Sequence, residues 1–363
     1  MPRPFIVFGG AVPQYILQFE QLFPQAKTIK LEQNYRSTRN IVMLSNRLMQ
    51  HSQCKTEKNI WTTNKEGKPP QIISALNREE EALKIIKHIK ALIKKGVSPQ
   101  NIAVLYRTNY QSRLLEDACI HTGVPYTIIG STGFYLRKEV RDMTAYLKLI
   151  ADFNNDEAFL EIFNVPPRDL GFWVPLLKEK SIETGKPLFH CLPLTNYPSA
   201  DTKKRAERFY GMIKKLHEIY KQQIYNLGQI VREIRRYTNY DAYLARRKGT
   251  PDEFRLETID ELCMSLARFK DVGKFLAYLQ IAQQEGRKRK GQRVNLLTIH
   301  KAKGLEWPVV FLAGCSLQLL PHYKAHDIEE ERRLCYVAIT RAREQLFISY
   351  AGWPSPFLKE MMG

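Results

Sequence analysis

The chain has 363 residues, 44% of them hydrophobic and 26% charged, enough to bury two or three domain cores and ordinary for a soluble globular protein. Lysine and arginine outnumber aspartate and glutamate 56 to 37, a net charge of +19. That excess favours a polyanionic partner, because each phosphate neutralised releases counterions; a basic surface kept for solubility is the other reading. No apolar run approaches a membrane span, and the opening MPRPFIVFGG lacks a signal-peptide pattern. The six cysteines (Cys54, Cys119, Cys191, Cys263, Cys315, Cys335) make no CxxC pair and no metal-ligand spacing, so reduced thiols in a cytoplasm are expected.

In chain order, KTIKLEQ (27–33) predicts a strand, and RNIVMLSNRLMQH after it has Ile41, Leu44, Leu48 and Met49 at helical spacing. PQIISAL (70–76) predicts a second strand. REEEALKIIKHIKALIKKG (78–96) predicts a helix: Glu79, Glu80 and Glu81 open it, Lys94 and Lys95 close it, and Gly96 stops it, an order that suits the helix dipole. NIAVLYRT (101–108), the helical YQSRLLEDACIHTG and the strand-like PYTIIG (125–130) follow. Strands separated by helices imply an α/β fold whose parallel sheet is covered on both faces. From 131 to about 285 the pattern turns helical, with Val140, Met143, Leu147 and Ile150 on one face of EVRDMTAYLKLI, and with amphipathic helices at 206–224 and 252–269. The charged EGRKRKGQR (285–293) reads as a linker; Arg287, Lys288, Arg289 and Lys290 either touch a polyanion or are a solvated charge run. Strands return with VNLLTIH, PVVFLAG and QLFISY (345–350), around the helical EEERRLCYVAITRAR. The expected division is therefore 1–130 and 286–363 for one α/β domain, with 131–285 inserted as an all-helical subdomain.

Three segments carry candidate chemistry. LEQNYRST (31–38) reads as a strand-to-helix junction at the C-terminal edge of the sheet, where such folds bind ligands. Arg36 there can fork onto phosphate and Tyr35 can stack on a base; alternatively Ser37 or Thr38 merely caps the helix and Arg36 is solvated. In TIHKAKGLEWPVVFL, Thr298, His300 and Lys301 either donate to a nucleic-acid backbone or sit solvated in a turn, and Glu306 can accept from a sugar hydroxyl. In EEERRLCYVAITRAR (329–343), Arg341 follows Leu334 by seven and Val337 by four, which places a guanidinium on the helix's apolar stripe. A buried arginine needs an anionic partner, whereas a surface one snorkels out.

Together these segments resemble the second half of superfamily 1 DNA helicases of the UvrD/PcrA/Rep group. LEQNYRST resembles their motif IV, VLYRTNYQSR (104–113) the next block, TIHKAKGLEWPVVFL motif V and EEERRLCYVAITRAR motif VI. FYLRKEVRDMTAYLKLI and NVPPRDLG resemble the helical subdomain inserted in their second RecA-like domain, with Asp169 where the family usually has glycine. FIVFGGAVPQYILQFEQLFP resembles the end of motif III, with Gly9 at the usual arginine and Phe8 at the aromatic. The resemblance implies a RecA-like fold and ATP-driven 3′→5′ helicase activity in DNA repair. It implies that Arg36 and Arg341 reach the γ-phosphate as arginine fingers and that Tyr35 stacks on adenine. It places Glu306 by the nucleotide sugar, and Thr298, His300 and Arg107 by single-stranded DNA or a single/double-strand junction.

The ATP site of that family also needs a P-loop and an acidic Mg²⁺ motif. Neither occurs here: Gly67-Lys68, Gly185-Lys186 and Gly273-Lys274 are each followed by Pro or Phe, with no glycine at the required offset. ATP and Mg²⁺ are therefore expected only when a P-loop domain is supplied, from the same parent chain or another one, and no hydrolysis is expected from this chain alone. A non-catalytic DNA-binding or regulatory remnant, or one half of a split helicase, are the competing expectations.

Overall fold

The computed structural model describes residues 19–27, 29–52, 58–130, 133–246, 252–287, 292–325 and 327–363. Phe8, Gly9, Cys54, Lys288, Arg289 and Lys290, all named above, lie outside the described residues, and Arg287 is described only as backbone. The chain divides into two units, Met1–Ser131 with Gln284–Gly363, and Thr132–Gln283.

The first unit is built on six strands: β1 (Gln71–Ala75), β2 (Ile102–Tyr106), β3 (Tyr126–Ile128), β4 (Val294–Thr298), β5 (Trp307–Leu312) and β6 (Ala342–Ala351). They lie in the order β1-β6-β5-β2-β4-β3, and every pairing is parallel. The sheet is thus a parallel α/β sheet of the RecA-like kind. β2, IAVLY, is buried at all five positions because it has a strand on each side and helices on each face. Its alternate residues serve different cores. Ala103 and Leu105 join Ile41, Leu44 and Leu48 of α1 (Arg39–Gln50) and Leu334, Ala338 and Ile339 of α12 (Ile328–Ile339). Ile102, Val104 and Tyr106 join Ile85, Ile86 and Ile89 of α2 (Arg78–Lys94) and Leu115 and Ala118 of α3 (Ser112–Thr122). Each leucine, isoleucine or valine among them contributes about 1.5–3 kcal/mol when buried.

Local signals explain the helix ends. Asn77 caps α2, its side chain accepting from Glu80 N at 2.9 Å, with three acids in the first turn and Lys94 in the last. Gly96, just beyond, has φ +91, a conformation open to glycine and strained for other residues.

Two expectations need correction. The described residues of 27–33 form no strand. Only Gln33 bridges, to Trp61, and Ile29 and Leu31 are exposed. Their alternation is strand-like, but among the described residues no neighbouring strand receives their backbone groups and no layer covers their side chains. The motif VI helix is also shorter than the periodicity suggested: α12 ends at Ile339 with Thr340 as its cap, and β6 starts at Ala342. Arg341 lies in the turn between them and Arg343 on the strand.

The second unit holds α4 (Lys138–Ala151), α5 (Asp156–Ile162), α6 (Val174–Thr184), α7 (Ala200–Lys221), α8 (Leu227–Thr238), α9 (Tyr240–Ala245), α10 (Asp252–Leu266) and α11 (Val272–Arg287), the last reaching four residues past the boundary. Val140, Met143, Leu147 and Ile150 are buried as expected, but so are Ala145 and Leu149 on the far side. α4 is a central helix rather than a two-faced one, because α5, α7, α8 and α10 pack around it. Its buried Asp142 is satisfied by Lys138 Nζ at 2.8 Å and by the Tyr240 hydroxyl at 2.6 Å.

Candidate functional site

Asn34 folds the 31–38 loop. Its Oδ1 accepts from Arg36 N at 2.9 Å and Ser37 N at 2.8 Å, as a local side-chain turn. The Ser37 hydroxyl then donates to Ala342 O at 2.6 Å, and Thr38 N donates to Arg343 O at 3.0 Å. These bonds fasten the loop to the start of β6 and carry Arg36 to the turn that follows α12.

Arg36 Nε donates to Glu306 Oε2, and Nη1 to the Thr340 carbonyl at 3.3 Å. Arg341 Nη2 donates to the hydroxyl of the same Thr340 at 3.1 Å, Nη1 to Leu305 O at 3.1 Å and Nε to Val337 O at 3.0 Å. Arg36, Arg341 and Glu306 are thus brought together around one residue. Arg343 adds a guanidinium 3.9 Å from Glu306, so two cations, Arg36 and Arg343, face that carboxylate. Tyr336 lies within electrostatic reach of both Arg341 and Arg36; burial pushes its hydroxyl pKa up, and the two charges oppose that shift. Tyr35 points outward, 77% exposed, its hydroxyl donating to Gln33 Oε1 at 2.7 Å.

This rim lies at the N-terminal ends of β5 and β6, since Glu306 and Arg341 each precede the first residue of a strand, and Trp307 pairs with Ala342. The C-terminal location expected for residues 31–38 is therefore corrected: among the described residues no strand precedes the loop, and its anchors are the start of β6 and the end of α12.

Thr298, His300 and Arg107 gather at the other end of the sheet. Thr298 ends β4 and Arg107 directly follows β2, with Tyr106 paired to Thr298. Arg107 is committed to Glu331: Nε lies 3.0 Å from each carboxylate oxygen and Nη2 is 2.7 Å from Oε1. Burial first, and then the Arg107 charge, hold His300 down to about 4, partly offset by Glu331. His300 is neutral near pH 7 and offers hydrogen bonds rather than charge. In the second unit Asp169 takes φ 57 and is paired with Arg205 at 2.6 Å, which offsets its charge.

Sequence reasoning missed Thr340, Arg343 and Glu331 as parts of these groups. Glu331 had a signal: it precedes Leu334 by three and Cys335 by four, so the helix turns a carboxylate onto its buried stripe. Among the described residues no group of three or more His, Cys, Asp or Glu is placed to hold a metal ion, and no helix is long and apolar enough to cross a membrane.

Comparison with known proteins adds a family match. The family model described as the UvrD-like helicase C-terminal domain matches residues 29–352. An ATP-dependent DNA helicase PcrA from Staphylococcus epidermidis is 36% identical over 381 residues, covering 97% of this chain and 52% of the relative. A PcrA from Staphylococcus aureus is 35% identical with the same coverage. The chain spans about half the length of the curated relatives it matches. A crystal structure of the C-terminal domain of a possible DNA helicase from Lactobacillus plantarum aligns with 90% of this chain and 94% of its own at 12% identity. Its TM-score is 0.37, too low to add to the fold.

Proposed function

The chain belongs to the UvrD-like helicase C-terminal domain family, and from that premise we propose that it forms one lip of an ATP site and part of a single-stranded DNA track in an ATP-driven 3′→5′ DNA helicase. The observation that carries this reading is the meeting of Arg36 and Arg341 at Thr340. Two guanidinium groups held by one residue can bind one anion together, here the γ-phosphate, and offset the charge that develops on it in phosphoryl transfer. Arg36 is released at little cost, because its ion pair with Glu306 is only partly buried, 33% and 38% exposed. Pairs of that kind are worth about 0–1 kcal/mol. Glu306 is then free to accept from a ribose hydroxyl, and Tyr35 offers an uncovered ring to adenine.

The residues present fit half of a nucleotide site: cations for phosphate and a carboxylate for the sugar, without the P-loop that holds the triphosphate and Mg²⁺. ATP supplies the phosphoryl group when a P-loop domain holds it. This chain's part is to orient and neutralise. At the other end of the sheet, Thr298, neutral His300 and Arg107 contact a DNA strand.

The test uses the chain with and without the P-loop half of a PcrA relative. Alone, it binds oligo(dT) in a salt-sensitive manner and hydrolyses no ATP. With the added half, DNA-stimulated ATPase appears and falls about 10³-fold or more in Arg341→Ala. DNA binding with no ATPase in any combination supports the non-catalytic binder; ATPase unaffected by Arg341→Ala overturns the arginine-finger role.

A further inference from the structure

Glu331 is an acid that this reading leaves unused. It lies in the first turn of α12 with its side chain 3% exposed, where an unpaired carboxylate is costly. Its oxygens accept from Arg107 Nε and Nη2, and Oε2 also accepts the backbone N–H of His322 at 3.0 Å. A forked guanidinium–carboxylate pair fixes orientation as well as distance. Arg107 continues directly from β2, so the pair ties the C-terminal end of that strand to the start of α12. Arg107 Nη1 makes no hydrogen bond among the described residues.

The twelve residues of α12 span about 18 Å. The far end is Thr340, which takes a hydrogen bond from Arg36 and another from Arg341. Along the way Leu334, Cys335, Val337 and Ala338 share one apolar cluster with Ile299 and Ala302, which flank His300 and Lys301. A helix packed that closely shifts as a piece rather than bending.

We infer that Glu331 is a positioning residue that links the two ends of the sheet: it holds Arg107 in a fork and passes any displacement of that arginine along α12 to Arg341. The inference rests on Arg107, Thr298 and His300 being the strand-binding edge.

The test reads the Nε–H NMR resonance of Arg341 while the chain is saturated with oligo(dT). In the unaltered chain the resonance shifts on DNA binding. In Glu331→Gln, which keeps size and hydrogen-bonding oxygen but loses charge, the DNA-induced shift falls by more than about half even at saturation. Glu331→Asp, which keeps the charge, restores part of it. Arg107→Lys keeps a cation but loses the fork; it gives the same reduction and decides the matter if Glu331→Gln does not fold. A full Arg341 response in Arg107→Lys or in folded Glu331→Gln overturns the inference, as does DNA binding without any Arg341 response in the unaltered chain. No oligo(dT) binding by the unaltered chain overturns the strand-edge reading, and the coupling with it.

Discussion

Burial separates two ion pairs that look alike in the sequence. Arg36 and Glu306 are about a third exposed, whereas Arg107 and Glu331 are 14% and 3% exposed. An exposed pair nearly cancels against hydration and side-chain entropy, while removing one partner of a buried pair strands a charge. Glu306→Ala is therefore expected to change unfolding free energy by no more than about 1 kcal/mol. Glu331→Ala is expected to cost about 3–5 kcal/mol, both read from urea denaturation. Equal effects would contradict the assignment. His300 makes a third prediction. Its value is lowered in the fold from 6.5 to about 4, so between those pH values the unfolded chain takes up a proton that the folded chain refuses. The fold consequently weakens on acidification through that window. His300→Gln removes this contribution and flattens the loss of stability between pH 7 and pH 4.5; parallel pH curves for the two chains would sink the claim.

At the scale of elements, the sequence signals that survived are those whose physics is local or fully buried. α2 forms where its cap, acids and stop glycine place it, and Asn77→Ala is expected to cost about 1 kcal/mol of stability through the lost bond to Glu80 N. β2 is legible because a strand buried on both faces reads as an unbroken apolar run, and Leu105→Ala is expected to destabilise by about 2–5 kcal/mol in the same denaturation assay. The signals that misled were those that needed a partner. Ile29 and Leu31 alternate like a strand, yet among the described residues of that segment only Gln33 finds a bridge. The apolar period of α12 runs on through Arg341, yet the helix stops at Thr340 without glycine or proline, because the chain turns at once into β6. The stripe on α4 is legible in the sequence, but the burial of its other side is not, because it depends on four helices elsewhere in the chain.

For the molecule as a whole, the charge of +19 has a measurable consequence. If three or more phosphates are neutralised, log affinity for single-stranded DNA falls with log salt at a slope steeper than about −2; a flat response would exclude the DNA track. Composition, the order of strands and helices and the quoted motifs were sufficient for the α/β class and the family, because those depend on hydrophobic period and on short runs of fixed residues. The sequence also named Arg36, Arg341 and Glu306 through their motifs. Only the tertiary structure decided that Arg36 reaches Thr340 across 304 positions, at the N-terminal rather than the C-terminal end of the strands. It alone decided that Arg107 is held by Glu331 across 224. Strand order in a parallel sheet is set by crossovers and by packing between distant segments, and no local pattern of side chains records which strand will lie beside which.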